Sequence, residues 1–351
     1  MNLVNKFYEQ RSFKALLDSK ITQNDLQNSQ KIVFSMFNRY GELFACIKII
    51  LELLEKYAQK ELMFIIPSHF EPYIKYFFPF AKIVIVFKRN PFQVINAILA
   101  VKKFAPDIGF NPWSYGSESE FFISYAEKFY FYVNYMDSTQ TVACTDNFYD
   151  QLRSYLALDS KLINRTWSYQ KLEYQKSYRK ILLCPESSST KTRCIPNDTM
   201  KKLCLDLVTL FSPEELIVAS VENLKPYGVT NNFIMKKSRQ SSSEFLKLMQ
   251  SVDLVVTVDA GPLHLAHLLN IDTICLFTVT PPQSVLDIGS KCRILREPLF
   301  GKRQCKNHNN CERPICMDKI IDIDFIKSYQ YDDAIPICEI EIMCEEECIY
   351  K

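Results

Sequence analysis

Residues 252–267 contain the strongest candidate for a ligand-binding turn in this chain. An apolar run, Leu254–Val258, is followed by the turn Asp259-Ala260-Gly261 and then by a helix. Pro262 lies in the first turn of that helix, where the missing N–H of proline has no cost. Backbone amides at the start of a helix attract anions, and phosphate is the commonest of these anions. The residues alone fit two interpretations equally well, a phosphate-binding turn or an ordinary connection between a strand and a helix.

Two polar side chains in this stretch could serve such a turn. Asp259 ends the strand, so it could cap the next helix or order the turn around a ligand. His264 follows one turn into the helix, beside the candidate anion site. Because a single histidine on a helix more often has a structural role, both interpretations of His264 stay open.

Glu42 is the candidate for a catalytic base. It follows Gly41 in the first turn of a helix that comes directly after the first predicted strand, residues 31–37. A carboxylate in this place could accept a proton from a hydroxyl nucleophile. The alternative, which the residues alone favour, is that Glu42 only complements the positive end of the helix dipole.

Another polar turn follows the predicted strand Lys180–Cys184. Ser188 lies in a run of serines and could donate a hydrogen bond, and Lys191 could face a pyrophosphate. The alternative is a solvated loop.

The C-terminal part of the chain is rich in cysteine. Four of the thirteen cysteines, Cys305, Cys311, Cys316 and Cys338, could hold a structural Zn or Fe ion, although no tight CxxC pair is present. Thiols without a metal are the alternative. Residues 291–319 also contain eight basic and three acidic residues, which could meet an anionic acceptor or a membrane surface, or simply be solvated.

These candidate residues follow a regular alternation of strands and helices. Such alternation predicts an α/β fold with parallel sheets covered by helices. The first half contains predicted strands at 31–37, 61–67, 82–87 and 107–110, with helices at 43–59, 70–78 and 91–104. The second half contains predicted strands at Lys180–Cys184, Glu215–Ser220, Leu254–Val258 and 273–277, with helices at 197–210 and 245–249.

Length and composition narrow the class of protein. A chain of 351 residues suggests two domains, and a net charge of +2 gives no sign of a nucleic-acid partner. There is neither a GxGxxG nor a P-loop motif. The N-terminus lacks the apolar core of a signal peptide, and no apolar run approaches the ~18 residues of a membrane span. We therefore expect a cytoplasmic protein whose cysteines are thiols or metal ligands.

The order of these pieces resembles glycosyltransferase family 9, the ADP-heptose:heptosyltransferases. Asp259-Ala260-Gly261-Pro262-Leu263-His264-Leu265-Ala266 is similar to the family signature D-[ST]-G-x-x-H-x-A. Weaker similarities lie at residues 38–42, 188–196, 276–281 and 316–320. The resemblance therefore runs from about residue 31 to about residue 330.

The resemblance implies a GT-B fold, two Rossmann-like domains facing each other across a cleft. We expect an N-terminal helical extension at residues 1–30, an acceptor-side domain at 31–165, a nucleotide-sugar-binding domain at 166–330 and a Cys/Glu-rich tail at 331–351. The resemblance further implies that the sugar is transferred in a single displacement that inverts the anomeric configuration. No metal is needed, because a helix N-terminus and a lysine stabilise the departing diphosphate.

The same resemblance implies the activity and the site residues. The expected reaction transfers heptose, or a related sugar, from an ADP-heptose-like donor to a lipopolysaccharide core or a protein, with peripheral contact at the inner membrane. Glu42 would be the base. The donor would be bound by Ser188, Lys191, Glu222, Asp259, Ala260, Gly261, Pro262, Leu263, His264 and Thr280.

The chain departs from the family pattern at three places. Glu42 stands where an Asp is usual, residues 193–196 lack the expected Trp, and Thr278 replaces a Gly. The cysteine-rich tail also resembles the autotransporter heptosyltransferases, a protein-modifying branch with a cysteine metal site. Two alternatives therefore accompany the transferase: a degenerate nucleotide-sugar-binding or assembly protein, and a GT-B-type sugar-nucleotide epimerase, for which no second acid/base carboxylate is identifiable.

Overall fold

The structure is a computed structural model, and every structural statement below concerns the residues that it describes. These are residues 21–87, 90–114, 117–132, 147–161, 166–173, 177–187, 193–221, 231–278, 280–296, 304–305, 320–321, 323–328, 334–336 and 342–343. The chain divides into two compact units. The N-terminal unit consists of Met1–Ala143, Gln151–Ser160 and Lys237–Leu246, and the C-terminal unit consists of Cys144–Asp150, Lys161–Lys236 and Lys247–Lys351.

The N-terminal unit contains a five-stranded sheet in which all strands are parallel. Its strands are β1 (Lys31–Ser35), β2 (Glu61–Ile66), β3 (Lys82–Ile85), β4 (Ile108–Phe110) and β5 (Lys128–Tyr130), in the order β3-β2-β1-β4-β5. The first four correspond to the predicted strands, although β1 ends at Ser35 rather than at residue 37. The sequence pattern did not predict β5, which is a short edge strand of three residues.

Helices connect these strands and cover the sheet. They are α1 (Gln23–Asn28), α2 (Tyr40–Lys56), α3 (Glu71–Phe77), α4 (Pro91–Phe104) and α5 (Ser117–Ile123). Helix α2 forms because Leu43, Ile47 and Ile50 recur at helical spacing, and all three are fully buried. Helix α5 packs so closely on β4 that a Cβ on Gly109 would lie 2.7 Å from the carbonyl oxygen of Ile123.

The C-terminal unit is organised around a seven-stranded sheet. Its strands are β7 (Gln170–Lys171), β8 (Lys180–Cys184), β9 (Glu215–Ser220), β10 (Asn231–Ile234), β11 (Leu254–Val258), β12 (Asp272–Phe277) and β13 (Lys291–Arg296), all parallel, in the order β10-β9-β8-β11-β12-β13-β7. β11 lies between β8 and β12, and all five of its residues are buried. A strand covered on both faces reads as a continuous apolar run, which is why the sequence shows one there.

The remaining elements complete the chain. The helices are α6 (Phe148–Tyr155), α7 (Asn197–Phe211), α8 (Arg239–Met249), α9 (Gly261–Leu268), α10 (Pro282–Val285) and α11 (Ile323–Ser328). Short strands β6 (Thr166–Ser168) and β15 (Ala334–Pro336) pair antiparallel, and β14 (Gln304–Cys305) pairs parallel with β16 (Ile342–Met343). Of the helices in the described part of the chain, none is long and apolar enough to cross a bilayer.

Candidate functional site

The turn between β11 and α9 lies at the carboxyl edge of the larger sheet. Three adjacent parallel strands, β8, β11 and β12, end at this edge. Open α/β sheets bind ligands outside the carboxyl ends of their strands. Helix α9 begins at Gly261, with Pro262 in its first turn and Ala260 as an extended N-cap residue. The predicted strand, turn and helix are therefore present at this edge.

Asp259 does not cap α9, so the first of its two possible roles is excluded. Within the described residues no side chain caps this helix, because Asp259 precedes the N-cap residue Ala260 by one position. Its carboxylate instead forms an ion pair with Arg193, at 3.0 Å between Nη1 and Oδ2. The Asp259 side chain is only 7% exposed, so a cationic partner offsets the cost of burying its charge.

Arg193 reaches this turn from the segment that follows β8. The backbone N–H of Ile195 donates to the carbonyl oxygen of Pro185 at 2.8 Å, which ties the two ends of that segment together. The sequence analysis mentioned residue 193 only as part of residues 193–196, where the Trp expected from the family pattern is missing. An arginine in a polar loop has no pattern of its own that would have identified its partner.

His264 is buried, and it is held by the side chain of Tyr149, which the sequence analysis did not identify as a site residue. The hydroxyl of Tyr149 lies 2.7 Å from Nδ1 of His264. The ring centres of Phe148 and Tyr149 are 6.1 and 5.8 Å from the imidazole ring centre. The imidazole is thus fixed on one side by a hydrogen bond and two aromatic rings.

The segment before α6 also holds α10, the short helix that follows Thr280. The amide Nδ2 of Asn147 donates to the carbonyl oxygens of Gln283 and Leu286, at 2.8 and 2.6 Å. The fully buried Arg296 donates from Nη1 to the carbonyl oxygen of Thr280 at 2.6 Å. Asn147 therefore holds α10 and Tyr149 holds His264, and no local motif in the sequence identified either residue.

Three of the predicted donor-binding residues lie outside the described part of the chain. They are Ser188, Lys191 and Glu222. The others, which are Asp259, Ala260, Gly261, Pro262, Leu263, His264 and Thr280, all belong to the C-terminal unit.

Glu42 lies in the N-terminal unit, in the first turn of α2, directly beyond the carboxyl end of β1. It is partly buried. Burial raises the pKa of the Cys46 thiol one helical turn away, and the negative charge of Glu42 raises it further. Cys46 is therefore a protonated core residue.

The turn that leads into α2 is held by side-chain hydrogen bonds. Nδ2 of Asn38 donates to the carbonyl oxygen of Pro112 at 3.0 Å, and the N–H of Phe37 donates to Oγ of Ser114 at 2.9 Å. These contacts join the turns that follow β1 and β4, two neighbouring strands. The start of α2, with Glu42, is thereby fixed relative to the sheet.

The predicted metal site cannot be located among the described residues. Cys311, Cys316 and Cys338 lie outside them, and of Cys305 only the backbone in β14 is described. The part of the chain that the structure describes contains no group of three His, Cys, Asp or Glu residues that could hold a metal ion. A structural Zn or Fe ion in the tail stays a prediction.

The geometry agrees with comparisons to known proteins. The family model of glycosyltransferase family 9 (heptosyltransferase) matches residues 134–315, just over half of the chain. Lipopolysaccharide heptosyltransferase 1 of Campylobacter coli is 29% identical over 141 residues, which cover 35% of this chain and 41% of that protein. The match thus spans less than half the length of this curated relative.

Two solved structures share the fold. The E. coli ADP-heptose LPS heptosyltransferase II has a TM-score of 0.56 at 12% identity, covering 76% of this chain and 90% of that chain. The iron-containing dodecameric glycosyltransferase TibC from enterotoxigenic E. coli H10407 has a TM-score of 0.53 at 12% identity, covering 88% of this chain and 76% of that chain.

An α/β chain with two parallel sheets and these structural neighbours has the GT-B fold, as predicted. The chain belongs to glycosyltransferase family 9.

Proposed function

We propose that this protein is an inverting heptosyltransferase. It moves heptose, or a closely related sugar, from a nucleoside-diphosphate donor of the ADP-heptose type to a hydroxyl group. The observation that carries this proposal is the β11–α9 turn, where a free helix start and two positioned side chains, Asp259 and His264, lie inside the region that matches the family model. The naming of heptose rests on the relatives, two of which are lipopolysaccharide heptosyltransferases by name.

On the donor side, we assign the diphosphate to the start of α9. The backbone N–H of Gly261 and the dipole of an eight-residue helix favour negative charge there. His264 adds a polar contact, and Thr280 contributes from the neighbouring loop. Lys191, Ser188 and Glu222 complete the donor site in this proposal, with Lys191 next to the phosphates. Negative charge that develops on the leaving diphosphate is stabilised by these groups, so the transfer itself needs no metal.

On the acceptor side, we assign Glu42 as the general base. Inversion requires one displacement, in which the acceptor oxygen forms a bond to the anomeric carbon while the bond to the diphosphate breaks. The carboxylate of Glu42 takes the proton of the acceptor hydroxyl. Glutamate is one methylene longer than the aspartate usual in the family, and the hydrogen bonds of Asn38 and Ser114 hold the backbone from which it projects. The acceptor is a lipopolysaccharide core or a protein.

The decisive experiment replaces Glu42 by Gln in the full chain and measures transfer from ADP-heptose to heptose-free lipopolysaccharide cores and to a panel of proteins. Loss of a general base costs about 10²- to 10⁴-fold in rate. We expect a loss of that size with an unchanged dissociation constant for ADP. Glu55→Gln, an exposed position later in the same helix, is the matched control and should retain full activity.

The outcomes separate the parts of the proposal. Transfer by Glu42→Gln at the wild-type rate would refute the assignment of the base. Donor binding without transfer to any acceptor in the panel would refute the enzyme and support a binding protein. Conversion of donor in buffer without acceptor would support an epimerase instead.

A further inference from the structure

Helix α4 of the N-terminal unit is apolar on two opposite faces. One face packs into the core through Val94, Ala97, Ile98, Val101 and Phe104. The other carries large apolar side chains in solvent: Phe92, Ile95 and Leu99 are 76%, 52% and 59% exposed. A surface helix of a globular protein normally has a polar outer face, and contiguous exposed apolar residues mark an interaction site. The core therefore does not account for the outer face of α4.

The exposed residues form one stripe. At 3.6 residues per turn, Phe92, Ile95 and Leu99 together with Lys102 and Lys103 fall within an arc of roughly 100°. Around the helix axis the two lysines, which are exposed, lie on either side of the three apolar side chains. This arrangement matches a helix that lies flat in a membrane interface, with Phe and Leu among the acyl chains and Lys at the head groups.

The start of the stripe is held rigidly. Asn90 caps α4 through hydrogen bonds from the backbone N–H groups of Phe92 and Gln93. Oε1 of Gln93 in turn accepts from the N–H of Phe87 at 2.8 Å, and Phe87 is itself 51% exposed. The backbone of Phe92 is thus held by Asn90 and that of Phe87 by Gln93, so little backbone entropy is lost when both residues enter an apolar phase.

The charge of α4 favours an anionic lipid surface over a second copy of this chain as the partner of the exposed face. Its fourteen residues include two lysines and no acidic residue. In a two-fold contact between copies the same surface meets itself, so this face would bring lysines together without an acidic partner on the helix. An anionic lipid surface instead complements them, at about 1 kcal/mol for each basic residue near the membrane.

We propose that the exposed face of α4, namely Phe92, Ile95, Leu99, Lys102 and Lys103, together with the neighbouring Phe87, docks the N-terminal unit onto an anionic lipid bilayer. Helix α4 begins after the carboxyl end of β3, and α2 begins after the carboxyl end of β1. Both strands belong to the same parallel sheet, and only β2 lies between them. The stripe starts at the sheet edge at which Glu42 lies. Docking there would hold that edge near lipid-linked acceptors.

The first test measures co-sedimentation of the full chain with vesicles of phosphatidylethanolamine and phosphatidylglycerol, and with vesicles of phosphatidylcholine alone. We expect binding to the anionic vesicles that falls as salt increases. Phe92→Ser/Ile95→Ser/Leu99→Ser should lower the partition coefficient at least tenfold. Leu205→Ser/Val208→Ser, at two exposed apolar positions of α7, is the matched control and should bind like the wild type.

The second test separates charge from apolar burial. Lys102→Gln/Lys103→Gln should lower the partition coefficient roughly 25-fold, about fivefold for each lysine, and abolish the preference for anionic lipid. Lys201→Gln/Lys247→Gln, at two exposed lysines of the other unit, is the control. A Phe92→Trp variant, which keeps the stripe apolar, should show fluorescence quenching by brominated lipids in the wild-type background.

The proposal is wrong if the wild type does not bind anionic vesicles, or if the triple serine variant binds as well as the wild type while it folds normally by circular dichroism. It is also wrong if the triple variant only converts an oligomer into a monomer in light scattering, because the face is then a contact between copies. No sugar donor is used, so the result is independent of the transferase assignment.

Discussion

The hydrogen bond between Tyr149 and His264 leads to a specific prediction about donor binding. Tyr149→Phe removes only the hydroxyl oxygen that lies 2.7 Å from Nδ1 and keeps the aromatic ring beside the imidazole. Both residues are buried, with 1% and 5% of their surface exposed, so water does not readily replace the lost group. The variant therefore tests whether a positioned His264 matters for the proposed diphosphate site.

The structure sets the expected magnitudes. A buried polar atom that loses its partner costs about 1–3 kcal/mol. For a unit of this size that corresponds to a melting temperature lower by about 3–9 °C. In addition, an imidazole that must be ordered when ADP binds costs about 0.5–1.5 kcal/mol, or a dissociation constant raised about 2- to 12-fold.

The assay is calorimetric titration of the full chain with ADP, together with a thermal melt. Tyr178→Phe is the matched control, because Tyr178 belongs to the same unit, is equally buried and donates its hydroxyl to Oδ2 of Asp272 at 3.1 Å. That contact lies at the amino edge of the sheet, where β12 begins. We expect the control to lower the melting temperature without weakening ADP binding.

Two results would refute the reasoning. If Tyr149→Phe melts at a lower temperature but binds ADP as the wild type does, Tyr149 is only a structural residue and His264 is not part of the donor site. If Tyr178→Phe weakens ADP binding by the same factor, the effect reflects general loss of stability rather than the position of the imidazole.

Three further predictions concern stability. Arg193→Met leaves the buried Asp259 carboxylate without its cation and should lower the free energy of unfolding in urea by about 3 kcal/mol; Arg193→Met/Asp259→Asn should recover part of this, and no recovery would contradict a direct ion pair. Gly109→Ala should cost about 1–3 kcal/mol in the same assay, because its Cβ would overlap the carbonyl oxygen of Ile123; an unchanged midpoint would show that α5 moves freely. The hydrogen bond from Lys128 lowers the pKa of Asp25 to about 2, so this carboxylate stabilises the fold fully above its unfolded value of about 3.8 and progressively less as the pH falls toward 2. Asp25→Asn should therefore cost about 1 kcal/mol near pH 6, after allowance for solvent screening, and less near pH 3; a cost that does not depend on pH would contradict this.

Much of the fold follows from local patterns. The predicted strands and helices of both halves are present. A short apolar run bounded by turns is typical of a buried strand, and residues such as Leu43 and Ile47 recur at helical spacing. In the two large sheets, the patterns did not predict β5, β7, β10 and β13. The first three are short strands at sheet edges, which do not need a continuous apolar run, and in β13 three basic residues interrupt the apolar ones. The order of the strands was also not predictable, since it depends on pairings between distant segments.

The sequence alone determined that the chain turns at residues 259–261 from a buried strand into a helix, because a strand pattern, a proline near the helix start and the family signature coincide there. Only the tertiary structure decided what the side chains of that turn contact. Asp259 pairs with Arg193 rather than capping α9, and His264 meets a tyrosine 115 residues earlier in the chain. Such partners are chosen by which segments the sheet brings to one edge. That choice depends on the packing of the whole unit and leaves no periodic trace in the residues nearby.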